Sequence, residues 1–156
     1  MPARATTVDR QRAEASPTGR AAARLAKHVE SALGQVELSL PQYRVLVILA
    51  KGSAAASALA SRLAVSPPSV TALVDGLVGR RFVERQSVSG DRRRVDHVLT
   101  EQGRRVLAEA DAAVDRRLED IAAYLPASER TRAMSGLHLW HKAMDAYLGA
   151  RVARRD

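Results

Sequence analysis

The stretch SALASRLAVSPPSVTALVDGLVGRRFVERQSVSGDRRRVDHVLT, residues 57–100, decides the fold. Ser57 is a candidate N-cap for a short helix whose apolar side chains share one face. Val65 follows in a turn. Ser66 is expected to cap a second helix with Pro67 at its first position, where the missing N–H costs nothing. The stretch therefore starts with two short helices joined by a tight turn.

The second helix has two contrasting sides when its residues are spaced at about 100°. The apolar side, which must face the core, consists of Val70, Leu73, Val74 and Leu77. The opposite side is small and nearly uncharged, and consists of Pro68, Ala72, Asp75 and Gly79, with Ser69, Thr71 and Gly76 at its edges. Its hydroxyl groups can hydrogen-bond to base edges, and its small apolar groups can contact thymine methyl groups. Gly76 should cost about 1 kcal/mol relative to alanine, which either a close contact or chance would explain.

A β-hairpin is predicted from residues 82–87 and 94–99, with its turn at residues 89–91. Its tip carries three consecutive arginines, residues 92–94, and the carboxylate of Asp91 can hold one of them by a charge-assisted hydrogen bond. An anionic partner would explain this tip, and a solvated, positively charged turn is the alternative. Helix, turn, helix and hairpin in this order are typical of a winged helix-turn-helix, a DNA-binding module.

Long helical patterns flank this module. Residues 1–15 are polar and predict a disordered basic arm, either a loose tail or an additional DNA contact. Helices are predicted over residues 16–36 and 41–50, and Thr100 is expected to cap a helix of about 23 residues. A last helix follows Pro126, with apolar spacing of three and four residues at Met134, Leu137, His141, Met144 and Leu148. The fold class is therefore mainly α with a small β-hairpin wing.

Composition narrows the class of protein. The 156 residues carry a formal net charge of +8, yet residues 101–156 are nearly balanced, with ten basic and nine acidic residues. The positive excess therefore lies in the arm and the hairpin-bearing module, as expected of a surface for phosphate groups. The absence of cysteine excludes disulfides and thiolate metal sites. No apolar run approaches the ~18 residues of a membrane span and no secretory signal is recognisable, so a cytoplasmic, nucleoid-associated protein is expected.

Enzymatic and metal chemistry are not expected. The sequence has no glycine-rich phosphate loop, nucleophile elbow or paired carboxylates in a suitable context. His138 and His141 are three residues apart on the last helix, close enough to share a metal. His28 and His97 belong to distant elements and cannot complete such a site, so neither a metal nor a cofactor is predicted. An interface role is favoured for His141 because it lies in the apolar spacing of the last helix.

Several motifs carry a resemblance to a known family. They are LPQ at 40–42, SPPSVT at 66–71, LVDGL at 73–77, DRR at 91–93, LT at 99–100 and Gly103. The hairpin motif with its following Leu-Thr and Gly is the most specific of these. By their order and spacing, over about residues 18–148, the chain resembles the MarR family of transcriptional regulators.

The resemblance implies a homodimer with interleaved terminal helices and two winged helices in successive major grooves of double-stranded DNA. Residues 16–36 and 101–150 would be dimerisation helices, and residues 37–100 the DNA-binding module. The residues expected to contact DNA are Ser57, Ser66, Pro67, Pro68, Ser69, Thr71, Ala72, Asp75, Arg80, Asp91, Arg92, Arg93 and Arg94. Among these, Arg93 would enter the minor groove, oriented by Asp91. The expected interface residues are Leu25, Val29, Met134, Leu137, His141, Met144 and Leu148.

Many members of the family repress genes and release DNA when a small aromatic or anionic effector binds between the DNA-binding and dimerisation regions. By this analogy the candidate effector residues are His28, Gln42, Tyr43 and Arg44, with packing and surface roles as the alternative for the last two. A sequence-specific repressor is the leading function. A nonspecific architectural DNA-binding protein and a protein-interaction module that has lost DNA binding are the alternatives.

Three features depart from the family pattern. Ala72 and Gly76 stand where recognition helices often have arginine. Arg81 stands where glycine commonly ends that helix in a left-handed conformation. His97 replaces an aliphatic residue on the wing strand, where it is either a pH-sensing group or a satisfied structural side chain.

Overall fold

The structure, a computed structural model, describes residues 17–88 and 91–152, apart from the side chains of residues 88, 91–94 and 151–152. The predicted arm, residues 1–15, and the predicted cap Ser16 lie outside the described residues. The helices are α1 (Pro17–Gly34), α2 (Leu40–Ala50), α3 (Ala56–Leu63), α4 (Pro67–Gly79), α5 (Glu101–Ala122) and α6 (Ala127–Val152). The strands are β1 (Ala54–Ala55), β2 (Val83–Val88) and β3 (Asp91–Leu99). The predicted fold class is confirmed.

Side-chain caps determine where two of the central helices begin. Ser66 caps α4 as predicted, accepting a hydrogen bond from the Ser69 amide at 3.4 Å. α2 starts one residue earlier than predicted, because Ser39 and Gln42 form a capping box. The Gln42 amide donates to Ser39 Oγ at 3.3 Å, and the Ser39 amide donates to Gln42 Oε1 at 3.0 Å. Two amides that lack partners inside the helix are thereby satisfied.

The prediction of Ser57 as a helix cap is wrong. α3 begins at Ala56, its N-cap is Ala55, and no side chain bonds to its first amides. Ala55 ends β1 and pairs with Asp96 of β3, so the sheet itself holds the extended backbone that an N-cap requires. Ser57 is an exposed residue in the first turn of α3.

The sheet is antiparallel with strand order β1-β3-β2, and β2 and β3 form the wing. The hairpin is longer than predicted, since Val88 pairs with Asp91 beyond an irregularity at residues 87 and 88. His97 is only 5% exposed, and its Nδ1 lies 3.1 Å from the Ala54 carbonyl oxygen on β1. The ring therefore fills the core and hydrogen-bonds to the next strand, which supports the structural interpretation of His97.

One continuous core joins α1 and α5 to the central module. Its fully buried members include Leu33 of α1, Leu46 of α2, Leu59 of α3 and Val70 of α4. α5 adds Leu107, Ala110 and Val114 to the same cluster. α1, α5 and residues 37–100 thus share one core, so their predicted division concerns function rather than folding.

α4 ends in a Schellman motif with an arginine at the left-handed position. The Phe82 amide donates to the Leu77 carbonyl at 3.0 Å, and the Arg81 amide donates to the Val78 carbonyl at 2.9 Å. Arg81 has a φ of 62°. The Cβ of an L-residue is crowded at this φ, whereas glycine is not. The departure from glycine at this position therefore leaves backbone strain at the end of α4.

We expect Arg81→Gly to raise the free energy of unfolding by about 0.5–1 kcal/mol, because relief of the strain outweighs the added freedom of the unfolded chain. Urea denaturation followed by circular dichroism measures the change. Ala58→Gly is the control. Ala58 is an exposed residue of α3 with helical backbone, so its replacement by glycine should lower stability by up to about 1 kcal/mol. An Arg81→Gly midpoint at or below that of the wild type would contradict the strain.

Candidate DNA-binding surface

The outer side of α4 is exposed, as its helical spacing predicts. On the inner side Val70, Val74 and Leu77 are at most 2% exposed, and Leu73 is half-buried. The exposed residues are Pro68, Ala72, Asp75 and Gly79, flanked by Ser69, Thr71 and Gly76. Because these side chains are short, the helix axis can come close to the base edges in a major groove.

Local hydrogen bonds hold the hydroxyl groups at the start of α4. Ser66 Oγ lies 2.8 Å from Ser69 Oγ, and Thr71 Oγ1 donates to the Pro67 carbonyl at 3.1 Å. A hydroxyl has one donor and two acceptor positions. The exposed hydroxyls of Ser69 and Thr71 therefore keep capacity to accept a bond from a base amino group.

Asp75, on the outer side of α4, is paired with an arginine of the wing. Nη2 of Arg85, on β2, donates to Oδ1 of Asp75. The Arg85 and Asp75 side chains are 48% and 54% exposed. The pair offsets a carboxylate that would otherwise repel a phosphate backbone, and it joins α4, the predicted recognition helix, to the wing. Sequence patterns do not predict Arg85, because a contact between a helix and a strand has no periodic signature.

Arg80 has partners inside the protein, in contrast to its predicted role in DNA contact. Its Nη1 donates to the Glu37 carbonyl oxygen at 2.6 Å, and its guanidinium carbon lies 4.5 Å from the centroid of the Phe82 ring. Arg80 is the C-cap residue of α4 and is half-buried. It ties the end of α4 to the turn between α1 and α2, and its contact with DNA stays a prediction.

The remaining predicted residues lie on other elements. Ser57 is exposed at the start of α3. Asp91 and the arginines at 92–94 lie on β3 at the tip of the wing, and their side chains are outside the described residues.

At Gly76, on α4, an added Cβ would lie 3.6 Å from Gln42 Nε2, which is an ordinary contact. The protein's own packing therefore does not require glycine there.

The four predicted effector residues do not form one site. His28 lines a cavity of about 410 Å³ between α1 and α5, and Gln42 is used in the capping box. The Tyr43 hydroxyl donates to Asp111 Oδ1 at 2.6 Å, and burial together with this bond raises the pKa of the phenol. Arg44 donates to a backbone carbonyl of α3 at 3.5 Å. Tyr43 and Arg44 thus use their polar atoms to bind α2 to α5 and α3, and Gln42 uses its own to close the start of α2.

A larger cavity of about 630 Å³ lies where the α1–α2 turn, the end of α4 and α5 meet. Its walls are Gln35, Val36, Glu37, Arg80, Phe82, Gln102, Arg105, Val106 and Glu109. None of the predicted effector residues lines it. The cavity combines an apolar patch with two guanidinium groups and two carboxylates, so it suits a ligand with both an apolar body and a charged group.

α6 exposes a row of apolar side chains on successive turns. The row consists of Leu137, Trp140, Met144 and Tyr147, which are 36%, 65%, 54% and 62% exposed. Sequence spacing places Leu137 and Met144 at an interface but misses the two aromatic residues between and beyond them. Of the other predicted interface residues, Leu25, Val29, Met134 and Leu148 are half-buried and His141 is exposed. The exposed face is therefore rotated by part of a turn from the predicted one.

An ion pair connects α6 to the end of α2. Lys51 Nζ lies 2.8 Å from Asp145 Oδ2, and His141 Nε2 lies 3.6 Å from the same oxygen. The hydrogen bond from Lys51 holds the pKa of the Asp145 carboxyl below its ordinary value. Among the described residues no group of three His, Asp or Glu is placed to hold a metal ion, and no helix there is long and apolar enough for a bilayer.

Comparisons with known proteins agree with this architecture. Residues 37–94 match the model of the MarR family. Solved structures with the same fold include RV1404 from Mycobacterium tuberculosis, with 25% identity, a TM-score of 0.66, and coverage of 92% of this chain and 97% of that one. CouR from Rhodococcus jostii RHA1, bound to p-coumaroyl-CoA, has 26% identity, a TM-score of 0.61, and coverage of 76% and 85%.

Wild-type MarR from E. coli, in its apo form, shares the fold at 22% identity, with a TM-score of 0.68 and coverage of 83% and 98%. No curated protein matches the chain. The family match covers the recognition helix and most of the wing, and the common fold extends over nearly all of the solved chains. Over residues 37–94, the chain is therefore similar to the MarR family of winged helix-turn-helix transcriptional regulators, and its fold is the one seen in solved members of that family.

Proposed function

We propose that this protein is a homodimeric transcriptional repressor that binds a palindromic operator in double-stranded DNA and is released by a small effector. The observation that carries the proposal is the exposed, small-residue side of α4 next to a wing tipped with arginines. Residues 37–100 are the DNA-binding module, and residues 16–36 and 101–150 are the dimerisation helices. The DNA-contacting residues are the predicted set.

The shape of the module suits two adjacent grooves. A major groove about 12 Å wide admits an α-helix, and short side chains let its base edges be reached. The wing then lies over the neighbouring minor groove, where Arg93 meets a strongly negative potential. A two-fold dimer places two recognition helices about 34 Å apart, one turn of DNA, so the matching operator is a palindrome.

The apolar row on α6 supplies the surface for the second copy. An exposed patch of tryptophan, leucine, methionine and tyrosine on one helix face is typical of an interaction site rather than of free surface. Aromatic residues and methionine are enriched in protein–protein interfaces. A helix packed on its symmetry mate in this way also fixes the distance between the two DNA-binding modules.

The effector site is the cavity beside Arg80. CouR binds p-coumaroyl-CoA, which supports an anionic ligand with an aromatic part for this chain. Guanidinium groups bind carboxylates and phosphates by charge-assisted hydrogen bonds, and the Phe82 ring and two valines offer apolar contact. An anion that draws Arg80 away from the Glu37 carbonyl would release the end of the recognition helix.

The proposal is tested by fluorescence anisotropy at about 0.15 M salt. The probes are DNA from immediately upstream of the gene for this protein and a scrambled control of equal length. We expect the upstream fragment to bind at least about 10³-fold more tightly than the control. A random-sequence selection with the same protein covers an operator located elsewhere.

Other outcomes distinguish the alternatives. Equal, salt-sensitive binding of both fragments, with no sequence enriched by selection, would indicate an architectural protein. The absence of tight binding to any DNA would indicate a protein-interaction module. Either result would overturn the proposed repressor.

A further inference from the structure

Arg85 occupies the crease between the recognition helix and the wing. It projects from β2, and its bonded partner, Asp75, lies on the outer side of α4. Val83, two residues before it on the same face of the strand, is buried, so Arg85 stands where the core gives way to solvent. About half of its surface is exposed. The guanidinium is therefore accessible and anchored at once.

Any duplex that takes α4 into its major groove and the wing into the adjacent minor groove must pass one sugar–phosphate strand between them. That strand crosses the crease that Arg85 occupies. We propose that Arg85 binds a backbone phosphate there and that Asp75 orients it. The inference rests on the proposed DNA-binding function, and it adds a residue that the sequence patterns do not indicate.

The chemistry of the pair supports this role. A guanidinium has five N–H donors, and a carboxylate engages at most two of them, so at least three remain for phosphate oxygens. An arginine held by a partner loses less side-chain freedom when it binds than a free one does. Asp75 also lies on the groove-facing side, and without Arg85 its charge would oppose the approach of DNA. In the pair, Arg85 offsets the negative charge of Asp75, and Asp75 holds Arg85 in position for a phosphate.

The test is the salt dependence of DNA binding by full-length Arg85→Gln, Asp75→Asn and wild-type protein, on the selected operator and on scrambled DNA. The value of log K falls as log salt rises, and each lost phosphate contact reduces the magnitude of this slope by about 0.9. We expect Arg85→Gln to lower it by about 1.8 for a dimer and to weaken both DNAs by a similar factor, about tenfold. Arg85→Lys, which keeps the charge, should restore the slope.

Asp75→Asn separates a phosphate contact from a merely structural pair. It keeps the arginine charge, so we expect the wild-type slope with an affinity several-fold lower. Arg132→Gln, an exposed arginine on α6, controls for net charge and should behave as wild type. If Arg85→Gln keeps the wild-type slope, the phosphate contact is refuted. If the wild-type protein itself binds neither DNA, the proposed function fails first.

Discussion

Gly103→Ala is expected to lower the free energy of unfolding by about 3 kcal/mol or more, a large part of the stability of a typical domain. Gly103 lies in the first turn of α5, against the backbone that leads from α4 into the wing. A Cβ there would overlap the Phe82 carbonyl oxygen and lie 2.9 Å from Leu99 Cδ1. The carbonyl cannot retreat easily, because it accepts bonds from the Thr100 amide at 3.1 Å and from Thr100 Oγ1 at 3.2 Å.

Urea denaturation at one fixed protein concentration measures this effect, since the stability of a dimer depends on concentration. Gly76→Ala is the matched control. It is also a helical glycine, but its added Cβ meets only an ordinary 3.6 Å contact, so it should stabilise the protein by about 1 kcal/mol. A Gly103→Ala midpoint equal to that of the wild type would show that α5 can shift without loss.

Trp140→Asp is expected to convert the proposed dimer to monomers. Trp140 is 65% exposed in the described chain and lies in the middle of the apolar row on α6. The substitution removes a large apolar surface and places a charge where the partner helix would bury it, which costs several kcal/mol per subunit unless the charge is paired. Sedimentation velocity measures the change in oligomeric state directly.

Leu139→Asp is the matched control for the dimer interface. Leu139 is also 65% exposed, but it lies about 100° around the helix from Trp140, away from the row. We expect it to remain dimeric. A Trp140→Asp protein that sediments as a dimer would place the interface elsewhere, and loss of the dimer in both variants would show that the whole circumference of α6 is covered.

The elements that follow local rules are predictable from the sequence. Ser66 followed by Pro67 marks the start of α4, because a side-chain oxygen and a residue without an N–H satisfy the needs of a helix N-terminus. The inner and outer sides of α4 follow from helical geometry alone, and the structure confirms them. The prediction of Ser57 as a cap is wrong because the start of α3 does not follow a local rule. It is determined by the pairing of β1 with a strand some forty residues away.

Contacts between elements are not predictable in this way. Spacing of three and four residues on α6 describes two neighbouring rows equally well, and only the packed structure shows that the exposed row contains Trp140 and Tyr147. No sequence pattern distinguishes the contacts of Arg80 from those of Arg85. One is bonded to the α1–α2 turn and the other to Asp75, because they leave α4 and β2 in different directions. The cavity beside Arg80 is formed where the α1–α2 turn, the end of α4 and α5 meet, and no local sequence pattern predicts that these three elements are in contact.

The shared core also restricts how an effector can act. Leu33 of α1 and Leu107 of α5 are buried with the side chains of α4, so bending the module against its own helices would open a packed interior. Within the proposed dimer, the cheaper motion is a tilt of one whole protomer against the other. α5 has 22 residues and is about 33 Å long. A tilt of about 10° would move one end of α5 by roughly 6 Å relative to the other. The two recognition helices must lie about 34 Å apart to enter successive major grooves, so a shift of this size would take one of them out of its groove.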